Sequence, residues 1–218
     1  MATMQLYQAI VRLLPPTPSR FHYLFNLRDL SRIFGGLCQT SPERFTKTKQ
    51  MVRCWRNECL RVFADRLIDD QDFAVVSGQL VQLMADNVGQ HSDEWTEYVL
   101  RDPILFGDYR NALESDVPRL YEDMQDYDAS KALFQEIMEE YNERGNNKLQ
   151  LVLFDDALQH LTRIQRVLRM VQGHALLVGV GGSGKQSLTK LAAFTAGVGL
   201  PYDTVSELSK FSSFIVRF

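Results

Sequence analysis

The sequence predicts a predominantly helical α/β chain, all helix as far as about residue 92 and then the opening of a parallel-sheet domain over residues 93–218. Three observations carry this. Apolar residues recur at spacings of three and four through most of the region before residue 92, as amphipathic helices require. A glycine-rich loop, Gly179-Val180-Gly181-Gly182-Ser183-Gly184-Lys185, stands between a short apolar run and an amphipathic segment. With 45% apolar and 23% charged residues over 218 positions, the chain lies in the ordinary globular range rather than the disordered one.

Taken in order, residues 4–14 carry Leu6, Ile10, Leu13 and Leu14 at helical spacing and are ended by Pro15-Pro16, after which an extended loop runs to Arg20. Leu24, Leu27, Leu30, Ile33 and Phe34 predict a helix that starts near Asn26 and stops at Gly35-Gly36. Ser41-Pro42-Glu43 reads as an N-cap, a proline at the first helical position and an early acid. From there the stripe Val52, Trp55, Cys59, Val62, Phe63 and Leu67 predicts one long helix to about Asp69, followed by a shorter one over 73–85. Residues 86–102 are polar and aperiodic, the best place for a boundary. Beyond it, Leu133, Phe134, Ile137, Met138 and Tyr141 oppose four glutamates on a helix closed at Gly145-Asn146-Asn147. Leu149–Phe154 is expected as a short strand, and Asp155 or Asp156 as the cap of a helix with Leu158, Leu161, Ile164, Leu168 and Val171 on its apolar face. A strand over 174–178, the glycine loop, and a helix with Leu188, Leu191, Ala192 and Thr195 inward, ended by Gly197, complete the reading.

Composition excludes several classes. The net charge is −3 and no basic run exists, so nothing argues for nucleic acid or an anionic membrane surface as a partner. The acidic stretch 114–143 alternates with apolar residues as a solvated helix face does. No segment approaches the roughly 20 apolar residues of a membrane span. Gln5, Gln8 and Arg12 interrupt the apolar core that a secretory signal needs. Cys38, Cys54 and Cys59 form no Cys-x-x-Cys pair, and His22, His91, His160 and His174 show no ligand spacing, so neither a disulfide framework nor a metal site is indicated. A reduced intracellular compartment fits this cysteine usage best.

The loop carries the chemistry. Gly179 and Gly184 stand five apart with Lys185 next, matching G-x-x-x-x-G-K. Gly179, Gly181, Gly182, Ser183 and Gly184 are small enough for consecutive backbone N–H groups to curl around phosphate oxygens, while Lys185 supplies a point charge and the following helix points its positive end at the same anion. The expected nucleotide-binding set is these residues with Gln186 and Ser187. The pattern wants Ser or Thr directly after the lysine to meet Mg²⁺, and Gln186 stands there instead, which puts magnesium in question. The 33 residues after Lys185 hold no apolar strand ending in an acidic pair, so little or no hydrolysis by this chain alone is expected. Leu151–Asp156 imitates such a strand but precedes the loop, where a helix N-cap explains it better. Arg163, Arg166 and Arg169 are expected on a solvated face.

Two other readings compete with a nucleotide cradle. Gly179, Gly181 and Gly184 also fit G-x-G-x-x-G, with Asp203 near the place of a ribose-binding carboxylate, as in a dinucleotide-binding domain. Lys185 argues against it, since such loops do not call for a lysine at the helix start. The other alternative is a helical scaffold without nucleotide.

The run Gly173-His-Ala-Leu-Leu-Val-Gly-Val-Gly-Gly-Ser-Gly-Lys-Gln-Ser-Leu188, preceded by Leu151-Val-Leu-Phe-Asp-Asp-Ala-Leu-Gln-His-Leu161, resembles the start of the fourth ATPase module of dynein heavy chains, particularly axonemal ones, where glutamine after the lysine is itself typical. Arg20-Phe-His-Tyr-Leu-Phe-Asn-Leu-Arg-Asp-Leu-Ser-Arg-Ile-Phe34 resembles the helical lid that closes the third module. The resemblance implies an AAA+ lid over 1–92 and the N-terminal part of a P-loop AAA+ domain over 93–218. It implies ATP or ADP as ligand, Arg28 as the lid arginine facing the preceding module's nucleotide, and Lys185 as the phosphate-holding lysine of the next. It further implies the rest of the heavy-chain ring and other dynein chains as partners, microtubules indirectly, and a cytoskeletal place in cilium or axoneme. The tail 198–218 departs from the family pattern.

Overall fold

The computed structural model describes residues 1–88, 93–114, 116–145, 148–171, 173, 175–179, 182–198 and the backbone of 215–217. The chain forms two compact units, Met1–Asp102 and Pro103–Phe218. The boundary expected near residue 92 falls at the edge of a segment outside the described residues, and the first unit continues through one more helix.

The first unit contains α1 (Ala2–Leu13), a 3₁₀ turn (Pro18–Arg20), α2 (Leu27–Leu37), α3 (Thr48–Cys59) running into a π-turn (Leu60–Ala64), α4 (Asp70–Val88) and α5 (Asp93–Leu100). Leu6 and Ile10 of α1 are fully buried, as are Val76 and Leu80 of α4, and these two helices pack together. Trp55 donates its indole N–H to Thr3 Oγ1 at 3.0 Å, tying α1 to α3.

Four expectations change here. The α2 helix does start at Asn26, whose side chain accepts from Arg28 N while Asp29 accepts from Asn26 N, but Gly35 and Gly36 lie inside the helix rather than ending it. Gly36 is required for another reason: a Cβ there would stand 1.7 Å from the Glu58 carboxylate of α3, so the absent side chain lets the two helices meet. Ser41-Pro42-Glu43 makes a turn, with Arg44 N and Phe45 N both donating to Ser41 O, and α3 begins only at Thr48, where Gln50 reaches back to Lys47 N at 2.9 Å. The long helix is interrupted where Asp65 N bonds to Leu60 O, five residues back, a π-turn that closes a run from Arg56 to Ala64 in which every residue is buried. Finally, the polar stretch after Asp86 holds the end of α4 and all of α5.

Buried charge organises this unit. Asp29, fully buried, accepts from Arg66 Nη2 (2.8 Å) and Arg32 Nη1 (3.1 Å), and Arg66 also donates to Leu24 O and Val62 O, so one carboxylate joins the start of α2 to the π-turn. Arg53, 1% exposed, donates to Tyr98 O and Arg101 O and ties the end of α5 to α3. Asp72 holds both Arg20 Nη1 and Tyr23 OH.

The second unit contains β1 (Phe106–Gly107) paired antiparallel with β2 (Glu122–Asp123), then α6 (Tyr127–Arg144), α7 (Asp155–Arg169), β3 (Leu176–Val178), α8 (Lys185–Ala196) and β4 (Ile215–Arg217). β4 pairs parallel with β3 in the register Leu176↔Ile215 to Val178↔Arg217, so β3, α8 and β4 form a strand–helix–strand crossover. Phe134, Ile137, Leu158, Leu161 and Leu191 form the centre of the core, where α6, α7 and α8 meet.

The short β1–β2 ladder carried too little periodicity to be read in advance. Conversely, Leu149–Phe154 joins no strand ladder among the described residues. Asn142 at the end of α6 grips both the N–H and the C=O of Leu149, and the segment alternates like a strand, Leu153 buried with Val152 and Phe154 exposed. Phe154 occupies the N-cap position of α7 with no side-chain cap, so Asp155 and Asp156 sit in the first turn, where they complement the helix dipole instead of capping it. The arginine face of α7 is not simply solvated either: Arg166 is only 5% exposed, and Arg169 Nε lies 3.0 Å from the buried Asp108.

Asp29→Ala removes the capping acceptor and leaves Arg66 inside without its carboxylate, and is expected to destabilise the first unit by about 3–5 kcal/mol, measured by denaturant unfolding of the full chain. Tyr109, 1% exposed and packed edge-on against Phe134, has a hydroxyl without a hydrogen-bond partner among the described residues. Burial, and then the nearby Asp108 charge, push its phenol well above the ordinary value. The unfolded phenol therefore ionises first, near pH 10, and the native state loses stability as pH rises from about 10 through the raised native value, at up to ~1.4 kcal/mol per pH unit. Tyr109→Phe is expected to leave stability within about 1 kcal/mol at pH 7 and to flatten the decline above pH 10. Identical alkaline melting curves for the two proteins would overturn this account.

Candidate functional site: a glycine loop at the start of a helix

The described part of the loop, Gly179 and Gly182–Ser187, joins the end of β3 to the first turn of α8. Gly182 and Gly184 both take φ +78°, the left-handed region that side chains resist, and a Cβ at Gly182 would meet nothing within 4 Å. The loop thus presents main chain on an open side.

Gly184 is the N-cap of α8 and has no side chain with which to cap it. The helix makes its first backbone bond from Leu188 N to Gly184 O at 2.9 Å, so the first-turn amides, Gln186 and Ser187 among them, lie ahead of the intrahelical ladder and aim out of the N-terminus. Lys185 folds back across the loop, its Nζ 3.0 Å from Gly179 O and 3.0 Å from Ser183 Oγ. One ammonium therefore spans both limbs of the loop, at the end of a helix whose dipole is positive. Concave main chain, open amides and a cation together suit a polyphosphate oxygen cluster.

The helix is held firmly behind this loop. Leu188, Leu191 and Ala192 are buried against α7, and Thr189 Oγ1 returns to Lys185 O at 2.7 Å. Gln186 is exposed at the second helical position and the half-buried Ser187 offers a hydroxyl one residue later. Among the described residues, no three His, Cys, Asp or Glu side chains are grouped to hold a metal. Magnesium takes few ligands from protein and most from water and phosphate, so this stretch would need to add only one or two side-chain oxygens.

Of the other expected residues, Gly181 lies outside the described residues, as do His91, His174 and the Asp203 of the dinucleotide reading. Arg28 stands exposed in the first turn of α2, its main-chain N–H donating to Asn26 Oδ1 at 2.9 Å. His22 Nε2 lies 3.1 Å from Arg66 O. Sequence reasoning passed over Asp108 and Arg119, whose contacts reach α7 and the far end of α8. The only trace of them in the sequence is the run Ile104-Leu-Phe-Gly-Asp108, an acid directly after apolar residues.

Comparison with known proteins agrees with this architecture. Residues 1–95 match the AAA+ lid domain, and residues 149–216 match the P-loop containing dynein motor region D4, a span that takes in most of the tail set apart in the sequence. The chain is 63% identical over 194 residues to human dynein axonemal heavy chain 10, with 89% of this chain and 4% of that protein aligned. It is 52% identical over 201 residues to the Dynein-1-alpha heavy chain of the flagellar inner arm I1 complex of Chlamydomonas reinhardtii, again 89% of this chain and 4% of the relative. Human dynein axonemal heavy chain 6 is 40% identical over 196 residues, 90% of this chain and 5% of the relative. The chain thus spans about one twenty-fifth of the length of the first two relatives. A helical lid followed by a glycine loop between strand and helix, with such identity across both parts, places the chain in the axonemal type of the dynein heavy-chain family, as the lid and opening P-loop region of its AAA+ motor.

Proposed function

We propose that this chain binds ATP or ADP through the loop at 179–187 and serves as a regulatory nucleotide module of an axonemal, microtubule-based motor. The observation that carries the reading is Lys185 lying across the loop between Gly179 O and Ser183 Oγ, beside an uncapped helix N-terminus. On this reading Gly179, Gly181, Gly182, Ser183 and Gly184 line the phosphates with main chain. Lys185 exchanges its loop contacts for phosphate oxygens, and Gln186 and Ser187 contribute first-turn amides.

The same reading assigns residues 1–92 to the lid of the third module and 93–218 to the start of the fourth. Arg28, exposed at the start of α2, would then face the nucleotide of the preceding module. The partners are the remainder of the heavy-chain ring and other dynein chains, with microtubules engaged through the whole motor, in the cytoskeleton of cilium or axoneme. The relatives aligned over both parts of the chain support this placement. Little or no hydrolysis by this chain alone belongs to the same reading, because Gln186 stands where a hydroxyl would meet Mg²⁺.

Titration of the full chain with fluorescent ADP and ATP is expected to show saturable binding that Lys185→Ala weakens at least ten-fold. Equal affinity in both proteins would remove the cradle. In melting experiments ADP and ATP should raise the midpoint by mass action, with about 2.7 kcal/mol of stabilisation at one hundred times Kd, and NAD should not. Phosphate release by the purified chain that disappears in Lys185→Ala would refute the non-hydrolytic half.

A further inference from the structure

Only the first turn of α8 belongs to the cradle, yet the opposite end of the helix is the more elaborately held. The last carbonyls of a helix lack intrahelical donors and must find others. Val198 N donates to Ala193 O and Gly197 N to Phe194 O, both at 3.1 Å, with Gly197 at φ +70°, the left-handed residue that closes such an end. Thr195 O is left over, and Arg119 Nη1 donates to it at 2.5 Å.

The same guanidinium donates through Nη2 to Ala112 O at 2.8 Å and lies 4.0 Å from Asp108 Oδ2. Asp108, 6% exposed, is itself held by two side chains of α7, Gln165 Nε2 at 2.5 Å and Arg169 Nε at 3.0 Å. A polar path therefore runs from α7 through Asp108 and Arg119 to the C-terminal end of α8.

The apolar contact between the two helices seats α8 through Leu188 and Leu191 in its first two turns, while the C-terminal half turns small residues inward, with Ala192, Ala193 and Ala196 all buried. Small side chains at that end allow close approach and offer little local resistance to displacement along the axis. The bond from Arg119 opposes that motion, and its positive charge complements the negative end of the helix dipole. A helix of this length is a stiff rod of about 18 Å, so an axial displacement at Thr195 is delivered to the amides of Gln186 and Ser187. Hydrogen bonds of those amides to phosphate tolerate only a few tenths of an ångström around ~2.9 Å.

We infer that Arg119, fixed by Asp108, is a positioning residue for the phosphate cradle: it sets the axial position of α8 from the end remote from the nucleotide. The inference rests on the nucleotide reading above.

The test compares wild type, Arg119→Gln, Arg119→Lys, Lys185→Ala and Arg110→Gln in the full chain. Arg110 is exposed and pairs with Glu122, so its substitution controls for loss of one nearby positive charge. Two quantities are read: ADP affinity by fluorescence titration, and backbone hydrogen exchange without nucleotide across α6 and α8. The expected result is a five- to twenty-fold rise in Kd for Arg119→Gln, a smaller rise for Arg119→Lys, and none for Arg110→Gln. Exchange should quicken along α8 from Leu188, the first amide bonded within the helix, while α6 keeps its protection, a selectivity that general destabilisation would not produce. Kd for Arg119→Gln within two-fold of wild type, while Lys185→Ala has lost binding, overturns the inference and leaves the cradle standing. If Lys185→Ala binds as wild type, the cradle reading falls, and the positioning role falls with it. Should Arg119→Gln fail to fold, Arg119→Lys decides by the same two-fold line.

Discussion

The seating of α8 on α7 is the contact from which the second unit takes its geometry. Leu188, Leu191 and Ala192 of one helix and Leu158, Leu161 and Ile164 of the other share a core with α6, and α8 follows β3 after a loop of only six residues, 179–184. With so short a connection, wherever α8 lies its N-terminus must open beside the end of β3. The glycines then follow as a requirement: Gly182 and Gly184 take left-handed dihedrals that let the chain reverse and enter the helix without a side chain over the opening. The site is a consequence of helix packing plus a turn whose left-handed dihedrals favour glycine.

The first unit solves a different problem. Its helices are bound by buried charged groups as much as by apolar contact: Asp29 between α2 and the π-turn, Arg53 between α3 and α5, Asp72 between the 3₁₀ turn and α4. Each such group loses hydration on folding, and each recovers it through several directed bonds, often to backbone carbonyls at element ends that would otherwise go unsatisfied. The arrangement fixes where helices end and how they cross. The π-turn at Leu60–Ala64 lies within this arrangement, at the end of a run of buried residues that begins at Arg56 in α3.

How much of this could be read in the sequence depended on whether the signal was local. The helices α1, α6, α7 and α8 were legible because their apolar residues recur at helical spacing and because Pro15, Gly145 and Gly197 end or follow them. The loop was legible because its chemistry is written in consecutive residues. Failures came where tertiary contact outweighed local preference. Gly35-Gly36 resembles a helix stop, but Gly36 is there for the carboxylate of Glu58 across the helix interface. Ser41-Pro42-Glu43 carries every local mark of an N-cap, yet forms a turn ahead of a helix that starts six residues after Pro42. Arg166 recurs with Arg163 and Arg169 as an exposed stripe would, but Asp108, far away in sequence, draws that side of α7 into the unit. None of these partners lies within one helical turn, so periodicity had no means of finding them.

On the proposed reading, the residue after Lys185 separates anion binding from metal coordination within the same loop. Phosphate contacts would use main-chain amides and the Lys185 ammonium, and neither depends on the side chain at 186. Metal coordination does depend on it, and moving the hydroxyl from 186 to 187 is no small displacement. On a helix one residue is a rotation of about 100° and a rise of 1.5 Å, so Ser187 projects from a different side of α8 than Gln186. Gln186 accordingly is exposed while Ser187 is half-buried. On that reading the loop keeps its electrostatic grip on an anion while lacking a hydroxyl at the position that would meet a divalent cation. That combination is the physical basis for reading the site as one that senses nucleotide more readily than it consumes it.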